Sequence, residues 1–578
     1  MKLKNIIHPN YTDHNWRKPL PSSSNPLISD EVALQSTPKD SPPEQPFKNG
    51  QQDELPRLKK RNSATAMELF FDLFFVANLG SFSSSHEINT TQSIKSYVGY
   101  IAILWFYWLQ NALFDIRFYS DSVSSRIFKA LHLGIMTGFA VLAPNFDTTD
   151  PLLHPRRFRN MSLVLMASRL VLALQYGIVA WYIRGYKKTL SAKIITMGTL
   201  FIAALVFLIL AVLSQMQRAK YAYLGWYIVP AVEAVVMVSV SSIWKVLSFK
   251  GTPIVERFGG MTLIVLGEGI VGMTKAVTSI AKGTSYPTGS SIVLITCYIV
   301  IIYFMYMIYF DQTDENRFGS IRQQIWALLH FPLHMSILIT NEGSRAFVLY
   351  SVAKGIYVKA FGDSQASKLA NTTSQLVDML KEIVSNLTER LRNKEATPDF
   401  EPIFNNITAI KNPNSNPQEL DNLLTEFTDR VFVWIMKSFG VEVESGEKGS
   451  AVHETVGEQV EKLSEKFFVV FRFFFIAAGL VLIFMAVLHW FSKSHKSRGE
   501  VLSIITTTLI GIGVSLVSII ALVGSGEGET AFSNYLNSGW IVPTIVLAYA
   551  LGESLFPAFF IRRIRQDPLV IEICCLMN

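Results

Sequence analysis

The sequence predicts an all-α fold, a polytopic transmembrane helical bundle of about twelve spans. Half of its 578 residues are hydrophobic, 17% are charged and the mean hydropathy is +0.30. A positive mean over this length indicates a membrane protein rather than a soluble one. The second observation is a series of apolar segments of about 17–25 residues, the length that crosses a bilayer as a helix.

The apolar segments fall into two groups, nine before a long polar stretch and three after it. They lie at 66–84, 94–114, 127–144, 160–183, 193–214, 222–248, 258–277, 290–310, 323–343, 467–491, 502–524 and 538–561. The first is the least apolar, which is typical of a helix with an inward polar stripe. The sixth contains Pro230 and Glu233, and we expect a bend near its start because proline removes a helical hydrogen bond.

The polar segments define the remaining organisation. Residues 1–63 are polar and rich in Pro and Ser, and we predict a disordered cytosolic tail there. A membrane core of about nine spans follows at 64–344, and then an extracytosolic insert at 345–466. Three C-terminal spans at 467–561 and a short cytosolic tail at 562–578 complete the chain.

The positive charges predict the orientation of the spans. With the N-terminus in the cytosol, most Lys and Arg residues that flank the apolar segments lie on the cytosolic side, as the positive-inside rule requires. Arg156, Arg157 and Arg159 are exceptions. We therefore predict that both termini are cytosolic. The net charge of +7 follows from this pattern, so nucleic acid is not expected as a partner.

N-glycosylation sequons support this orientation independently of the charges. Sequons begin at Asn371, Asn386 and Asn406, and all of them fall in the insert. Two further sequons, at Asn89 and Asn160, fall on the same predicted side. We expect a glycoprotein in the plasma membrane or in a membrane of the secretory pathway.

Two carboxylates stand in the first apolar segment. Glu68 and Asp72 are four residues apart, so they lie on one face of a helix. A charged side chain inside a spanning helix is unfavourable by about 2.5–3.5 kcal/mol on insertion scales, so such residues usually mark a functional pathway. Two neighbouring carboxylates repel each other when both are ionised, which raises the pKa of one of them. Such a pair is suited to binding a proton or a cation. The alternative is a structural ion pair with a buried base such as Arg169 in the fourth segment.

A third acid, Glu268, lies about halfway along the seventh segment, beside Gly267, Gly269 and Gly272. Glycines there permit the close approach of a neighbouring helix. They also permit a broken helix whose backbone groups bind an ion, as in many transporters. Glu268 is therefore a candidate for proton or cation binding, or an acid that is hydrogen-bonded across a packing notch.

His330 and His334 share one face of the ninth segment because they are four residues apart. They are candidates for proton relay, since histidine titrates near neutrality, or for hydrogen-bonded core residues. The spacing also occurs in metal sites, but the sequence shows no third ligand. We predict neither a metal nor a cofactor.

The remaining candidates are ion pairs or gates. Glu342 and Arg345 are three residues apart, and we expect them to pair at the outer end of the ninth segment. Glu256 and Arg257 stand at the cytosolic end of the seventh segment, where we expect them to anchor the helix at the membrane interface.

Two motifs resemble those of the low temperature requirement A (LtrA) family of membrane proteins. Glu68-Leu-Phe-Phe-Asp-Leu-Phe-Phe-Val76 resembles the family's ELFFDLVFV opening. Val255-Glu-Arg-Phe-Gly-Gly-Met-Thr-Leu-Ile-Val-Leu-Gly-Glu268 resembles its ERFGLFTIIVLGE segment. The resemblance covers most of residues 64–343 and implies a polytopic integral membrane protein, with no defined biochemical activity. The insert and the long N-terminal tail resemble the longer fungal members.

These features favour a proton- or cation-coupled transporter in the lipid bilayer, for a small ion or solute that the sequence does not identify. In this hypothesis Glu68, Asp72 and Glu268 bind the proton or cation, and the two histidines shuttle protons or gate the path. A passive ion channel is one alternative. A non-transporting membrane sensor or scaffold is the other, in which the acids pair with Arg169 or Arg257 and the insert binds a partner. An enzyme is not expected, because the sequence contains neither a nucleophile motif nor a complete set of metal ligands.

Overall fold

The computed structural model describes residues 63–118, 122–146, 154–182, 187–213, 221–243, 252–285, 288–312, 320–362, 372–391, 397–410, 417–441, 455–493, 495–523 and 529–554. Within these ranges the secondary structure is helical, apart from one isolated backbone bridge between Thr284 and Leu391. The predictions for residues 1–62 and for the C-terminal tail fall outside the described ranges.

Nine helices precede the polar insert. They are α1 Ala66–Ser85, α2 Thr91–Phe118, α3 Val123–Leu142, α4 Pro155–Tyr182, α5 Lys187–Leu213, α6 Gly225–Ile243, α7 Ile254–Gly283, α8 Gly289–Gln312 and α9 Ser320–Gly362. The insert and the C-terminal region contain α10 Thr373–Arg390, α11 Glu401–Ala409, α12 Pro417–Ser438, α13 Val456–Ser492, α14 Arg498–Leu516, α15 Ile520–Val523, α16 Glu529–Asn537 and α17 Ile541–Ser554.

Nine of the described helices are long and apolar enough to cross a membrane, namely α1, α3 to α8, α13 and α14. This confirms the predicted all-α membrane fold, whereas the predicted number of about twelve spans is not confirmed. The three other predicted segments correspond to α2, α9 and α17. Of these, α17 is apolar and 14 residues long, below the length that the criterion for a span requires.

The helices α2 and α9 are long but carry polar side chains inside the bundle. Every residue of α2 from Gly99 to Phe118 is buried except Phe106. The buried polar residues on these two helices include Gln110, Asn111, Asp115, His330, His334 and Asn341. A hydropathy criterion measures transfer into lipid, so a helix that is surrounded by other helices is not obliged to satisfy it.

The outer helices show the opposite pattern, because they expose apolar side chains. Ile202 and Ile209 on α5 are 63% and 55% exposed, and Ile292 and Val293 on α8 are similarly open. Large exposed apolar side chains in a soluble protein would favour aggregation, whereas in a membrane they face the acyl chains. These helices place the protein in lipid.

The packing of α7 and α9 positions the candidate site. The helix α7 packs against α1, α8 and α9, and α9 packs in turn against α13. The helix α2 lies against α1, α6 and α9. Pro230 lies inside α6 and Pro332 inside α9, and both helices continue through the proline. Residues on α1, α2, α7, α8 and α9 therefore face a shared interior.

Three helices of the insert form a layer against the extended ends of α9 and α13. The helices α10, α11 and α12 pack on each other in chain order, and α12 packs against α9 and α13. Ile407 and Phe427 are fully buried in this layer. Asn386 and Asn406 are exposed on α10 and α11, while Asn371 lies outside the described residues.

Candidate functional site

A cavity of about 500 Å³ lies among α1, α2, α7, α8 and α9. The helix α7 forms its longest wall, from Glu268 to Ser279, and other helices contribute Ser83, Tyr97, Tyr298, Asn341 and Glu342. Ser84, Thr274 and Thr278 line the cavity and are exposed, so it reaches the molecular surface near them. The inner end of the cavity is formed by Glu268 of α7 and by Leu338 and Asn341 of α9.

Glu268 and Asn341 are buried, and they line this cavity with unpaired polar atoms. Glu268 is 6% exposed and Asn341 is 4% exposed. The Oε2 atom of Glu268 and both polar side-chain atoms of Asn341 have no hydrogen-bond partner in the described part of the chain. Buried polar groups in folded proteins are nearly always hydrogen-bonded. These atoms are therefore the natural contacts for a solute, an ion or water in the cavity.

The glycines of α7 allow neighbouring helices to approach closely, and α7 stays a continuous helix through them. A Cβ atom at Gly269 would lie 2.5 Å from Asn341 Nδ2, and one at Gly272 would lie 3.1 Å from the Tyr298 hydroxyl. The single proton of that hydroxyl is shared between two carbonyl oxygens, Asn341 at 2.9 Å and Gly269 at 3.2 Å. Of the two predicted arrangements, the structure shows close packing rather than a broken helix.

An ionic cluster borders the cavity at its surface end. Arg345 pairs with Glu342, as the spacing of these residues predicts, and its guanidinium lies 3.7 Å from Glu87. Lys466 on α13 pairs with Glu87 at 2.8 Å. Lys275 donates to Ser84 at 3.0 Å and joins α7 to the end of α1. Four charged side chains thus link the segment between α1 and α2 to α9 and α13, namely Glu87, Glu342, Arg345 and Lys466.

Asp72 forms a fully buried ion pair with Arg257 toward the other end of α7. The Arg257 guanidinium donates to the two carboxylate oxygens at 2.7 and 2.9 Å. The Trp108 indole donates a third hydrogen bond to Asp72 at 2.8 Å. Both side chains of the pair are 0% exposed. Arg257 is therefore an ion-pair partner of a buried acid, as the sensor or scaffold alternative expects, and it lies inside the bundle rather than at the membrane interface.

Glu68 has a different environment from Asp72, although the two share a helical face. It closes a capping box at the start of α1, where its carboxylate accepts from the Thr65 backbone N–H at 2.6 Å. The Thr65 hydroxyl accepts from the Glu68 N–H at 3.3 Å. Close to this cap, the Glu256 carboxylate accepts a hydrogen bond from the Ala64 backbone N–H at 3.1 Å. Asp72 is neutralised by Arg257, so mutual repulsion with Glu68 does not dominate this region.

Arg169 is paired with Glu233 rather than with an acid of α1. Its guanidinium donates to the Glu233 carboxylate at 3.0 to 3.1 Å, and both side chains are 1% exposed. A further buried pair joins Asp115 of α2 to Lys129 of α3. These pairs hold α2, α3, α4 and α6 together, and neither lines the 500 Å³ cavity.

The two histidines of α9 lie between the cavity and the Asp72–Arg257 pair. His334 Nδ1 accepts from the Trp105 indole at 3.1 Å, so in the neutral ring its Nε2 donates to Thr262 at 2.9 Å. His330 Nδ1 donates to the Trp326 carbonyl at 2.8 Å, and its Nε2 accepts from Tyr309 at 2.8 Å. Each ring nitrogen has a protein partner, which is typical of hydrogen-bonded core histidines.

The cavity ends at Glu268 and does not continue to the Asp72–Arg257 pair. Glu268 and Arg257 are eleven residues apart on α7, a separation of about 16 Å along the helix axis. Phe258, Met261 and Val265, which lie between them, are fully buried. The described residues therefore form a site that is open at one end and closed by packed side chains and an ion pair at the other.

The described side chains contain no group of three or more His, Cys, Asp or Glu residues arranged to hold a metal ion. Sequence reasoning did not single out Asn341, Tyr298, Glu87 or Lys466. The spacing of His330, His334, Asn341 and Arg345 is a helical stripe, which was the available signal for Asn341. Glu87 and Lys466 are 379 residues apart, and no local pattern connects them.

Comparison with known proteins adds one finding. A family model described as bacterial low temperature requirement A protein (LtrA) matches residues 63–371, which contain α1 to α9 and every side chain of the cavity wall named above. Neither the curated proteins nor the solved structures contain a match.

Proposed function

The chain belongs to the low temperature requirement A family of membrane proteins, and we propose that this member is a proton- or cation-coupled transporter. The observation that carries the proposal is the cavity that ends at Glu268 and Asn341. It combines a route from the surface, a buried carboxylate without a complete set of partners, and a closed opposite end. A substrate-coupling site in a transporter needs these three properties.

Glu268 is the residue that binds the proton or cation in this proposal. A carboxylate oxygen without a hydrogen-bond donor attracts a cation, and the Asn341 side chain offers both a carbonyl oxygen and an amide donor beside it. Tyr298 fixes the α7 and α9 backbones around them. Lys275 and Arg345 line the same cavity, and their positive charges favour release of a bound cation.

Asp72 and Arg257 close the far side of the site in this proposal. Alternating access requires the helices to rock so that Glu268 meets the opposite side of the membrane. The helices α1 and α7 carry both the cavity and the ion pair, so a movement between them changes both ends together. His330 and His334 lie in this region and are candidates to shuttle protons during such a movement.

A non-transporting sensor or scaffold is the second candidate. The observation that favours it is the pairing of Asp72 with Arg257 and of Glu233 with Arg169, because paired charges fix helices to each other without any solute. A passive channel is less well supported, since packed side chains separate the cavity from the ion pair. Unitary currents in planar bilayers would favour the channel.

The proposed orientation places both termini in the cytosol and the cavity opening on the extracytosolic side, in the plasma membrane or a secretory-pathway membrane. It predicts glycans on the insert, where Asn386 and Asn406 are exposed. Treatment of the expressed protein with an N-glycosidase should increase its gel mobility. The shift should become smaller in Asn386→Gln and Asn406→Gln. Cleavage of the insert by protease added to sealed microsomes, whose outer face is the cytosolic one, would refute this orientation.

Proton flux into sealed liposomes that contain the purified protein and a pH-sensitive dye tests the transport function. We expect a gradient-driven signal from the wild type and its loss in Glu268→Gln, which keeps the size of the side chain and removes its charge. Glu382→Gln is the matched control, because Glu382 is an exposed acid on α10 outside the cavity.

Each result has a defined meaning once the variants are shown to be folded by their thermal unfolding. Loss of flux in Glu268→Gln alone supports the proposed site. Equal flux in Glu268→Gln and the wild type would refute the role of Glu268. No flux above that of empty liposomes would remove proton coupling, and the same vesicles loaded with a cation-sensitive dye then test the cation arm of the proposal.

A further inference from the structure

A second and larger cavity, of about 900 Å³, lies where the insert meets the membrane helices. Its wall includes the extension of α9, α12, the start of α13, α16 and residues 89–91 before and at the start of α2. Neither Glu268 nor Asn341 belongs to this wall, so the cavity is separate from the transport site.

The wall of the second cavity has one polar side and one apolar side. The polar side is formed by Lys354 and Tyr357 of α9, Asp429 of α12 and the exposed Glu465 of α13. The apolar side includes Phe468 of α13 and Phe532 of α16, whose rings contact each other at 5.5 Å between centroids. A ligand that fills both sides has a charged head and an apolar body.

Lys354 and Asp429 both line the cavity, yet they do not pair with each other. Within the part of the chain that the structure describes, the Lys354 ammonium contacts only the rings of Tyr357 and Phe432, at 4.9 and 5.5 Å. Neither residue forms a salt bridge there. Partial burial lowers the pKa of the Lys354 amine and raises the pKa of the Asp429 carboxyl. Both groups are therefore partly removed from water without a counter-ion.

The position of the cavity along the helices matches the boundary of a membrane. Phe467 and Phe468 begin the apolar run of α13, while Leu463 and Ser464 precede it. Tyr350 of α9 follows the segment predicted to span at 323–343 and packs on Phe467 at 4.3 Å between ring centroids. Tyrosine is enriched at the level of lipid headgroups. The apolar side of the cavity thus continues from the acyl region, and its polar side lies at the headgroup level.

We propose that this cavity binds a zwitterionic phospholipid of the adjacent leaflet. Lys354 binds the phosphate, Asp429 binds the headgroup ammonium, and the aromatic side holds an acyl chain. The unpaired charges of Lys354 and Asp429 are of opposite sign and match the two charges of such a headgroup, whereas a purely anionic lipid leaves the acidic side of the cavity without a counter-charge. The bound lipid would connect the insert to α13 and α16. This site does not depend on the proposed transport function.

The test uses the full-length protein, purified in detergent and stripped of lipid, with thermal unfolding and native mass spectrometry as readouts. Three probes separate the parts of the ligand: dioleoylphosphatidylcholine, dioleoylglycerol with the same chains and no charges, and phosphorylcholine without chains. We expect the phospholipid to raise the unfolding temperature and to remain bound in the mass spectrum. The other two probes should bind far more weakly.

Variants assign the headgroup contacts. Lys354→Ala should weaken phosphatidylcholine binding by about tenfold, the loss expected from one charge-assisted hydrogen bond. Lys359→Ala is the matched control, because Lys359 is an exposed lysine on the same helix outside the cavity. Asp429→Asn should weaken binding of phosphatidylcholine and leave binding of the anionic phosphatidylglycerol unchanged.

Three outcomes would overturn the proposal. Equal stabilisation by dioleoylglycerol would show an apolar cavity that does not recognise the headgroup. Binding of phosphorylcholine as tightly as the phospholipid would show a site for a soluble solute. Equal phosphatidylcholine binding by Lys354→Ala and Lys359→Ala, with both proteins folded, would remove the proposed phosphate contact.

Discussion

The ion pair between Asp72 and Arg257 should be strongly coupled, and its coupling can be measured. Three hydrogen bonds of 2.7 to 2.9 Å converge on the Asp72 carboxylate, two from Arg257 and one from Trp108. Both side chains of the pair are 0% exposed. Asp72→Asn keeps the shape of the side chain and leaves Arg257 without a counter-ion. Removing one partner of a buried pair destabilises a protein by about 3–5 kcal/mol.

A double variant measures the interaction between the two side chains apart from their contacts with other residues. Arg257→Met keeps an apolar stem and removes the charge, so Asp72→Asn combined with Arg257→Met leaves neither charge unpaired. We expect the double variant to be less destabilised than the sum of the single variants, with a coupling free energy of about 2–3 kcal/mol. The assay is unfolding in detergent, followed by tryptophan fluorescence against denaturant.

An exposed pair in the insert is the reference for this measurement. Glu426 and Arg430 on α12 also form an ion pair, but their side chains are 42% and 27% exposed. The same cycle there should give a coupling of about 0.5 kcal/mol or less, because water screens exposed pairs. Additive effects of Asp72→Asn and Arg257→Met, or a coupling no larger than at the exposed pair, would refute the conclusion that this pair fixes α1 to α7.

Two further predictions concern glycines, each with a control on the same helix. Gly269→Ala should displace Asn341, destabilise the protein by about 1–3 kcal/mol and abolish flux, whereas Gly267→Ala should change little because its Cβ meets nothing within 4 Å. Similar flux in the two variants would contradict the role of the close contact. Gly511→Ala should separate α14 from α13, since its Cβ would lie 2.7 Å from the Gly479 carbonyl oxygen, and Gly513→Ala should be tolerated. Equal unfolding temperatures for these two variants would refute the second prediction.

The fold class and part of the site could be predicted because they depend on local sequence. Apolar runs of spanning length define helices whatever their neighbours are, and nine helices among the described residues are long and apolar enough to span. Glu268 could be singled out because it interrupts such a run and has glycines beside it. The glycine spacing also indicated that another helix comes close to α7. That helix is α9, and its Asn341 faces Gly269.

The partners of the buried charges could not be predicted, because they depend on the order of helices in the bundle. Arg169 and Arg257 are both arginines beside or within apolar segments, and each was a reasonable partner for Asp72. In the structure, Asp72 forms an ion pair with Arg257, which is 185 residues away, and Arg169 forms one with Glu233. Sequence separation does not decide between them, since helices that are distant in the chain become neighbours by packing.

The predicted number of spans, about twelve, exceeds the nine described helices that are apolar enough to span. The buried polar side chains that form the candidate site are the reason for this difference. Hydropathy measures how well a helix tolerates lipid, and α2 and α9 fall short because they carry buried polar groups. These groups include His334 and Asn341, which lie against α7. A helix whose polar side chains face other helices avoids the unfavourable transfer that the criterion measures. In this protein, the long helices that look least suited to lipid are therefore the ones that bring polar chemistry into the membrane interior.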